Sequence, residues 1–105
     1  MLRIYPVCLE MVREVADVAI AIKVYDRDLC RKLQRSSVSV VLNVAEGSAV
    51  RDGRRRVRYG DALGSALETQ AGIEVAYAVG YIDSFDEALQ GRFRHSIGVL
   101  NKLSR

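Results

Sequence analysis

Apolar residues recur at spacings of three and four along most of the chain, which is the pattern of amphipathic helices. The first such run follows Pro6, a residue that suits the first position of a helix. It extends for about five turns, to Tyr25, with charged residues on its opposite face. A polar break at 26–28 follows. Either Asp26 or Asp28 could cap a second helix that runs from about Asp28 to Ala49.

The second half of this second helix is unusual because eight of the thirteen residues from Val38 to Val50 are apolar and lie on every side of a helical projection. Several of them are β-branched, so propensity alone would also allow a strand. A lone strand would have no partner, and the neighbouring segments are helical, so we favour a helix. A helix that is apolar all round is buried all round. We therefore expect one face in the core and the other against a neighbouring subunit.

A third helix is predicted to continue to about Val79, and a fourth to run to the C-terminus. Gly80 is a natural residue for the end of the third helix. Ser84 and Glu87 have the spacing of a capping box at the start of the fourth. Glycines recur at multiples of four residues along the third helix, which predicts close approach of a neighbouring helix; they are Gly60, Gly64, Gly72 and Gly80.

These elements predict an all-α fold in a single domain, 1–105. Connections of two to five residues make successive helices antiparallel, so we expect an up-down-up-down four-helix bundle. Half of the 105 residues are hydrophobic. That is more than a small bundle needs, so we also expect self-association.

The charge is distributed unevenly along the chain. The net charge is +3, but residues 27–58 carry nine basic and three acidic side chains, which indicates a localised anionic partner. Most of these bases surround a turn at 51–53, in which Gly53 is free to take a positive φ. Cations at the start of a helix oppose its dipole. Two interpretations are open: a solvated charged face, or a site for phosphate.

The candidate phosphate contacts in the turn and the start of the third helix are Arg51, Arg54, Arg55, Arg56 and Arg58. Secondary candidates at the start of the second helix are Arg27, Arg31 and Lys32. No aromatic pair is interleaved with them, so sequence-specific recognition is not expected.

A polar row interrupts the apolar part of the second helix: Arg35, Ser39 and Asn43 are spaced by four, with Glu46 and Gly47 at the end. Buried polar groups need partners, so we predict an interhelical hydrogen-bond network that fixes register. Glu68, which lies among small residues, could be the bonding partner of Asn43, of Arg35 or of a group on a neighbouring subunit. A catalytic role is disfavoured because no second acid, metal ligand or nucleophile accompanies the row.

Other chemistry has little support. Cys8 and Cys30 are isolated and are expected to be buried, reduced thiols. His95 is expected on the surface, so no metal site and no cofactor are predicted. No apolar run is long enough to cross a membrane, and the N-terminal segment lacks the apolar region of a signal peptide. We expect a cytoplasmic protein that is not an enzyme.

Two motifs resemble a known family. Leu29, residues 35–40 (Arg-Ser-Ser-Val-Ser-Val) and residues 43–47 (Asn-Val-Ala-Glu-Gly) form the first. The second comprises Ala62, Gly64-Ser65, Glu68, Glu74, Ala76 and Gly80-Tyr81-Ile82. Both are similar to motifs of the four-helix-bundle proteins encoded in intervening sequences of bacterial large-subunit ribosomal RNA genes, a family related to the accessory protein of diversity-generating retroelements.

The resemblance implies a homo-oligomer, typically a ring of five, with no enzymatic activity. The retroelement relatives imply a basic scaffold that binds RNA or DNA and a reverse transcriptase. This sequence departs from the family pattern in three places. The first connection is short, Val41 stands where a proline is common, and arginines replace most aromatic residues at the start of the third helix.

The leading hypothesis is therefore a self-assembling scaffold, pentameric by resemblance, whose arginines contact the nucleic-acid backbone. The alternative is a protein-interaction module whose arginines pair with acidic groups of another subunit or protein.

Overall fold

The computed structural model describes residues 2–105, so Met1, the first residue of the predicted domain, lies outside the described residues. Over 2–105 the fold is all-helical and contains no strand. The four helices are α1 (Ile4–Lys23), α2 (Arg27–Ala49), α3 (Arg54–Ala78) and α4 (Glu87–Leu103). The valine-rich segment is helical, as predicted, because it continues α2 without a break.

The helices form an elongated molecule of 43 × 24 × 20 Å. α2 contacts α1 and α3, and α4 also contacts α1 and α3. Apolar side chains from all four helices fill the space between them in two clusters. One contains Ile22, Cys30, Ala76 and Leu89, and the other Ile4, Val44, Tyr59 and Leu100. These residues of the first cluster lie near the ends of α1 and α3 and the starts of α2 and α4, and those of the second lie near the other four helix termini.

The helix starts differ from the predictions in two places. α1 begins at Ile4, so Pro6 is the third helical residue and not the first. This placement costs little, because the first four backbone N–H groups of a helix have no intrahelical acceptor. α4 begins at Glu87, and Asp86, not Ser84, is its cap: the Asp86 carboxylate accepts the N–H of Leu89 at 3.1 Å.

Two other helix termini agree with the predictions. The Asp26 carboxylate accepts the backbone N–H of Leu29 at 2.9 Å and so caps α2. At the end of α3, Gly80 has φ of 84°. The Tyr81 N–H donates to the Ala76 carbonyl at 2.8 Å, and the Gly80 N–H donates to the Tyr77 carbonyl at 3.2 Å. This is a Schellman motif, which favours glycine because of the positive φ.

Close helix packing occurs at one of the four predicted glycines. A Cβ at Gly72 would lie 2.7 Å from a Leu33 methyl carbon, whereas Gly64 has no atom within 4 Å of that position. Gly60 has only ordinary contact with Ser104, and Gly80 serves the turn. A second close approach is at Gly47, where a Cβ would lie 2.6 Å from the ring of Tyr59. The prediction of close helix approach from the glycine spacing is therefore confirmed only at Gly72.

The α2 segment that is apolar on all sides is not buried on all sides within one chain. Val40 and Val44 are in the core, but Val38 is 43% and Leu42 55% exposed. The face of α3 opposite its core side is similar, with Leu67 46% and Val75 51% exposed. These two outer apolar faces therefore remain about half exposed in the single chain.

Candidate nucleic-acid interface

The predicted basic residues fall into two groups separated by most of the length of α2. Arg27, Arg31 and Lys32 lie in its first two turns, whereas the arginines of the 51–58 segment follow its last residue. A helix of 23 residues is about 34 Å long. The structure therefore does not bring the secondary candidates to the main group, and one continuous patch of the two groups is ruled out for a single chain.

The secondary candidates are also partly neutralised. The Arg31 guanidinium lies 2.5 Å from the Asp28 carboxylate, and Lys32 Nζ lies 3.9 Å from Glu68. Both pairs are largely exposed, so they contribute little to stability. They do lower the positive potential at this end of α2.

Asp52 organises the turn between α2 and α3. Its carboxylate accepts the backbone N–H of Arg54 at 2.9 Å and the Arg54 guanidinium N–H groups at 3.0–3.2 Å. The side-chain hydrogen bond from Arg54 lowers the pKa of Asp52 from its usual value. Gly53 has φ of −58°, so the turn does not use the positive φ that a glycine allows. The Asp52 carboxylate supplies the negative charge that the arginine-rich start of α3 otherwise lacks.

Arg55 has a structural role that the sequence pattern did not show. Its Nε donates to the Gly47 carbonyl at 3.2 Å and to the Val50 carbonyl at 2.7 Å. These carbonyls are at the C-terminus of α2, where a cation is favourable. The Arg55 charge is therefore unfavourable for the dipole of α3, which begins there, but favourable for the dipole of α2, which ends there.

The remaining arginines of the segment differ in their partners. Arg58 lies 3.2 Å from Glu46 and 3.8 Å from Asp61. Arg56 approaches the Arg105 carbonyl at 3.5 Å. Within residues 2–105, neither Arg51 nor Arg56 has a carboxylate partner. These two are the arginines of the segment whose charge is least compensated.

The fold adds basic residues that sequence reasoning missed. Arg3 precedes Ile4, which shares a cluster with Tyr59, and Arg105 is in contact with Arg56. Together with Lys102 they join the 51–58 arginines at one end of the molecule, which we call the arginine end. Its basic residues are Arg3, Arg51, Arg54, Arg55, Arg56, Arg58, Lys102 and Arg105, and its acidic residues are Glu46, Asp52 and Asp61.

The arginine end thus has a formal charge of +5, although the whole chain has only +3. At the opposite end, six acidic and four basic side chains lie around the α1–α2 and α3–α4 connections. They are Asp26, Asp28, Glu74, Asp83, Asp86 and Glu87, and Lys23, Arg27, Arg31 and Lys32. The charge separation is along the long axis, so an anionic polymer would be attracted to one end and repelled from the other.

The polar row lies along the seam between α2 and α3. Ser39 Oγ and Ser65 Oγ are 2.8 Å apart, and the Asn43 amide donates to Ser39 Oγ at 3.1 Å and to the Ser39 carbonyl at 3.0 Å. Deeper in the seam, Thr69 Oγ1 lies 2.7 Å from Ser36 Oγ and 2.7 Å from the Ser65 carbonyl. Hydroxyl groups therefore line this seam.

The other members of the row are placed differently. Gly47 contacts the Tyr59 ring, and Glu46 faces Arg58. Glu68 does not reach Asn43 or Arg35; it is half-exposed, and Lys32 is the cation closest to it. Arg35 has no ion pair or hydrogen bond within the described residues.

The remaining reactive groups do not assemble into a site. Cys8 and Cys30 are free and buried, as predicted, and burial raises the pKa of the Cys8 thiol. His95 is exposed, also as predicted. Between residues 2 and 105, no three His, Cys, Asp or Glu side chains are grouped so that they could hold a metal ion. None of the four helices is long and apolar enough to span a membrane.

Comparison with known proteins identifies the family. The model of the 23S rRNA-intervening sequence protein family matches residues 1–102. The chain belongs to this family. The resemblance inferred from the motifs of α2 and α3 is thereby confirmed.

A solved structure has the same fold as this family member. It is a protein of unknown function from the S23 ribosomal protein family of Bacteroides thetaiotaomicron, with a TM-score of 0.84 and 16% sequence identity. The match covers 97% of this chain and 98% of the other. The comparison with curated proteins finds no match.

Proposed function

We propose that this protein is a non-enzymatic, self-assembling scaffold whose arginine end binds the phosphate backbone of RNA or DNA without sequence specificity. The observation that carries the proposal is the concentration of eight basic against three acidic side chains at one end of the molecule. Phosphate contacts of this kind release counterions, so affinity falls steeply with salt. The arginines form no stacking platform for bases, which favours backbone recognition.

The scaffold is proposed to be an antiparallel up-down-up-down bundle. Hydrogen-bonded and ionic pairs between α2 and α3 support this arrangement, because the residue numbers rise in one helix as they fall in the other. The pairs are Ser36 with Thr69, Ser39 with Ser65, and Glu46 with Arg58.

Self-assembly is proposed to bury the outer apolar faces of α2 and α3. Val38 and Leu42 on α2, and Leu67 and Val75 on α3, are large apolar side chains that remain about half exposed in the single chain, and exposed apolar patches often mark interaction sites. Family membership favours a ring of five. A ring would present five arginine ends together, which would convert weak phosphate contacts into substantial avidity. A reverse transcriptase is the protein partner that the retroelement relatives suggest.

The binding experiment uses the arginines whose loss leaves the fold intact. Arg54, Arg55 and Arg58 are engaged with Asp52, the α2 carbonyls and Glu46, so their replacement would also perturb the turn. We therefore choose Arg51→Gln, Arg56→Gln and Arg105→Gln in one variant. Its affinity for a fluorescent single-stranded RNA and a duplex DNA should fall, and the slope of log affinity against log salt should become shallower by up to about three.

The matched control also removes three positive charges, but from residues that lie away from the arginine end: Arg13→Gln, Lys23→Gln and Arg94→Gln. It should bind almost as well as the wild type. Unchanged affinity of the first variant for both nucleic acids, or an equal loss in the control, would refute binding through the arginine end.

A second candidate function is a protein-interaction module whose arginines pair with carboxylates of another subunit or protein. The observation in its favour is that Arg54 and Arg58 already pair with carboxylates of their own chain. In that case the triple arginine variant would lose its assembly but not its affinity for nucleic acid. Sedimentation velocity of the variant distinguishes the two functions.

The assembly itself is tested by Leu42→Asp, with Leu9→Asp as the control, since Leu9 is an exposed leucine of α1 at 46% exposure. Leu42→Asp should shift the sedimentation coefficient to that of a monomer, and Leu9→Asp should not. A wild-type protein that sediments as a monomer at micromolar concentration would rule out the scaffold.

A further inference from the structure

The seam between α2 and α3 opens into a groove of about 820 Å³, which we call the α2–α3 groove. It is lined by the serine hydroxyls of the polar row and by charged side chains from both helices. Its volume is that of a small-molecule site. Arg35 is about 17 Å along α2 from Glu46, which faces the arginine end. The groove is therefore separate from the arginine end. Arg35 and Ser39 also line the neighbouring pocket that contains Val38 and Leu42, so a ligand in the groove would lie beside the proposed subunit interface.

The groove offers a hydrogen-bond donor that the protein does not use. Ser39 Oγ and Ser65 Oγ share one hydrogen bond at 2.8 Å, to which one of their two hydroxyl protons is committed. The Asn43 amide donates to Ser39 and so supplies no acceptor for the second proton. Within residues 2–105 no other acceptor lies within hydrogen-bonding distance of either hydroxyl. Whichever serine donates to the other, one O–H has no acceptor from the protein and is available to water or to a ligand in the half-exposed groove.

The cations of the groove are of two kinds. Arg31 and Lys32 face the carboxylates of Asp28 and Glu68. Arg35, one turn further along α2, lines the same groove and has no anionic partner in the described chain. A guanidinium and a hydroxyl donor that line one groove are suited to the oxygens of a phosphoryl group. The Glu68 carboxylate, one turn from Ser65 on α3, can accept hydrogen bonds from hydroxyl groups of a ligand.

We propose that the α2–α3 groove binds a small phosphomonoester whose organic part carries hydroxyl groups, such as a sugar phosphate. The phosphoryl oxygens accept from the Arg35 guanidinium and the free serine hydroxyl, and a hydroxyl of the ligand donates to Glu68, one turn from Ser65 on α3. A network that only fixes the register of α2 on α3 would require the serines and Asn43 but would not require Arg35.

The experiment is a titration of the full chain with ribose 5-phosphate, followed by amide chemical shifts and by calorimetry at low salt. Ribose and inorganic phosphate serve as matched half-ligands. Ribose 5-phosphate should bind more tightly than either and shift amides of residues around 35–39 and 65–68. No saturable binding, or equal affinity for inorganic phosphate and ribose 5-phosphate, would overturn the proposal.

Two variants locate the binding. Arg35→Gln should lower the affinity for ribose 5-phosphate by roughly tenfold to a hundredfold, and Ser65→Ala by about threefold to tenfold, since hydrogen bonds to charged groups exceed neutral ones. Arg94→Gln, an exposed arginine of α4, is the control and should bind as the wild type does. Thermal unfolding of each variant establishes that the fold is retained.

The triple variant of Arg51, Arg56 and Arg105 separates this site from the arginine end. It should keep its affinity for ribose 5-phosphate while losing affinity for nucleic acid. Loss of ribose 5-phosphate binding in the triple variant but not in Arg35→Gln would place the ligand at the arginine end and reject the groove as its site.

Discussion

Gly47 lies where α2 passes over the aromatic ring of Tyr59, at the start of the arginine end. A Cβ at this position would be 2.6 Å from Tyr59 Cε1, 2.9 Å from Cδ1 and 3.2 Å from Cζ. Carbon atoms in proteins pack at about 3.5–4.0 Å, so the ring or the helix would have to move by about 1 Å. Tyr59 is only 3% exposed, and a planar ring cannot bend away. Alanine at position 47 is therefore expected to overpack this contact.

The magnitude follows from two opposing effects. Overpacking of a well-packed core costs about 1–3 kcal/mol. Replacing glycine by alanine within a helix gains up to about 1 kcal/mol, and less here because Gly47 is in the last turn of α2. Gly47→Ala should therefore destabilise the protein by about 1–2 kcal/mol. In a domain of this size each kcal/mol lowers Tm by about 4–8 °C.

The measurement is urea and thermal unfolding at one protein concentration, because self-association would make Tm depend on concentration. Gly98→Ala is the control: Gly98 is exposed, lies within α4 and has no atom within 4 Å of a Cβ. It should gain about 0.5–1 kcal/mol. The double variant Gly47→Ala/Tyr59→Leu should show a coupling energy of at least about 0.5 kcal/mol. A Gly47→Ala protein as stable as the wild type, with Gly98→Ala behaving as expected, would refute the reasoning.

Three further predictions concern single interactions. The hydrogen bond from Arg54 lowers the pKa of Asp52. Asp52 therefore contributes stability at pH values above the pKa it has in the unfolded chain, and this stability is lost as the pH falls through the pKa it has in the folded protein. Arg54→Gln should raise the Asp52 pKa in a carboxyl NMR titration. Cys8 and Cys30 are buried, so a thiol reagent should label both only as fast as local or global unfolding exposes them. Rapid labelling of the native protein would contradict their burial. Thr69 is fully buried and 2.7 Å from its hydroxyl partner on α2, so Thr69→Val should cost about 1 kcal/mol in urea unfolding, and no loss would show that this bond is not a net stabiliser.

The helices could be predicted from the sequence because their signals are local. The spacing of apolar residues, Asp26 before α2 and Gly80 after α3 act within one or two turns, and all three are found as predicted. The start of α4 was misassigned because two caps compete within a few residues. Asp86 is the side chain that accepts the Leu89 N–H, although the Ser84–Glu87 spacing suggested otherwise.

The arrangement of the candidate sites could be decided only by the tertiary structure, because it depends on residues far apart in the chain. The basic residues of 27–58 indicated a localised anionic partner, yet the length of α2 separates the primary from the secondary phosphate candidates. Packing of the helices brings Arg3, Lys102 and Arg105 to the arginine end and sets Arg55 on the carbonyls of α2. It also pairs Ser39 with Ser65 and leaves Arg35 without a partner among residues 2–105. Sequence periodicity assigns each residue to a face of its own helix, whereas the neighbours of that face depend on how the helices pack.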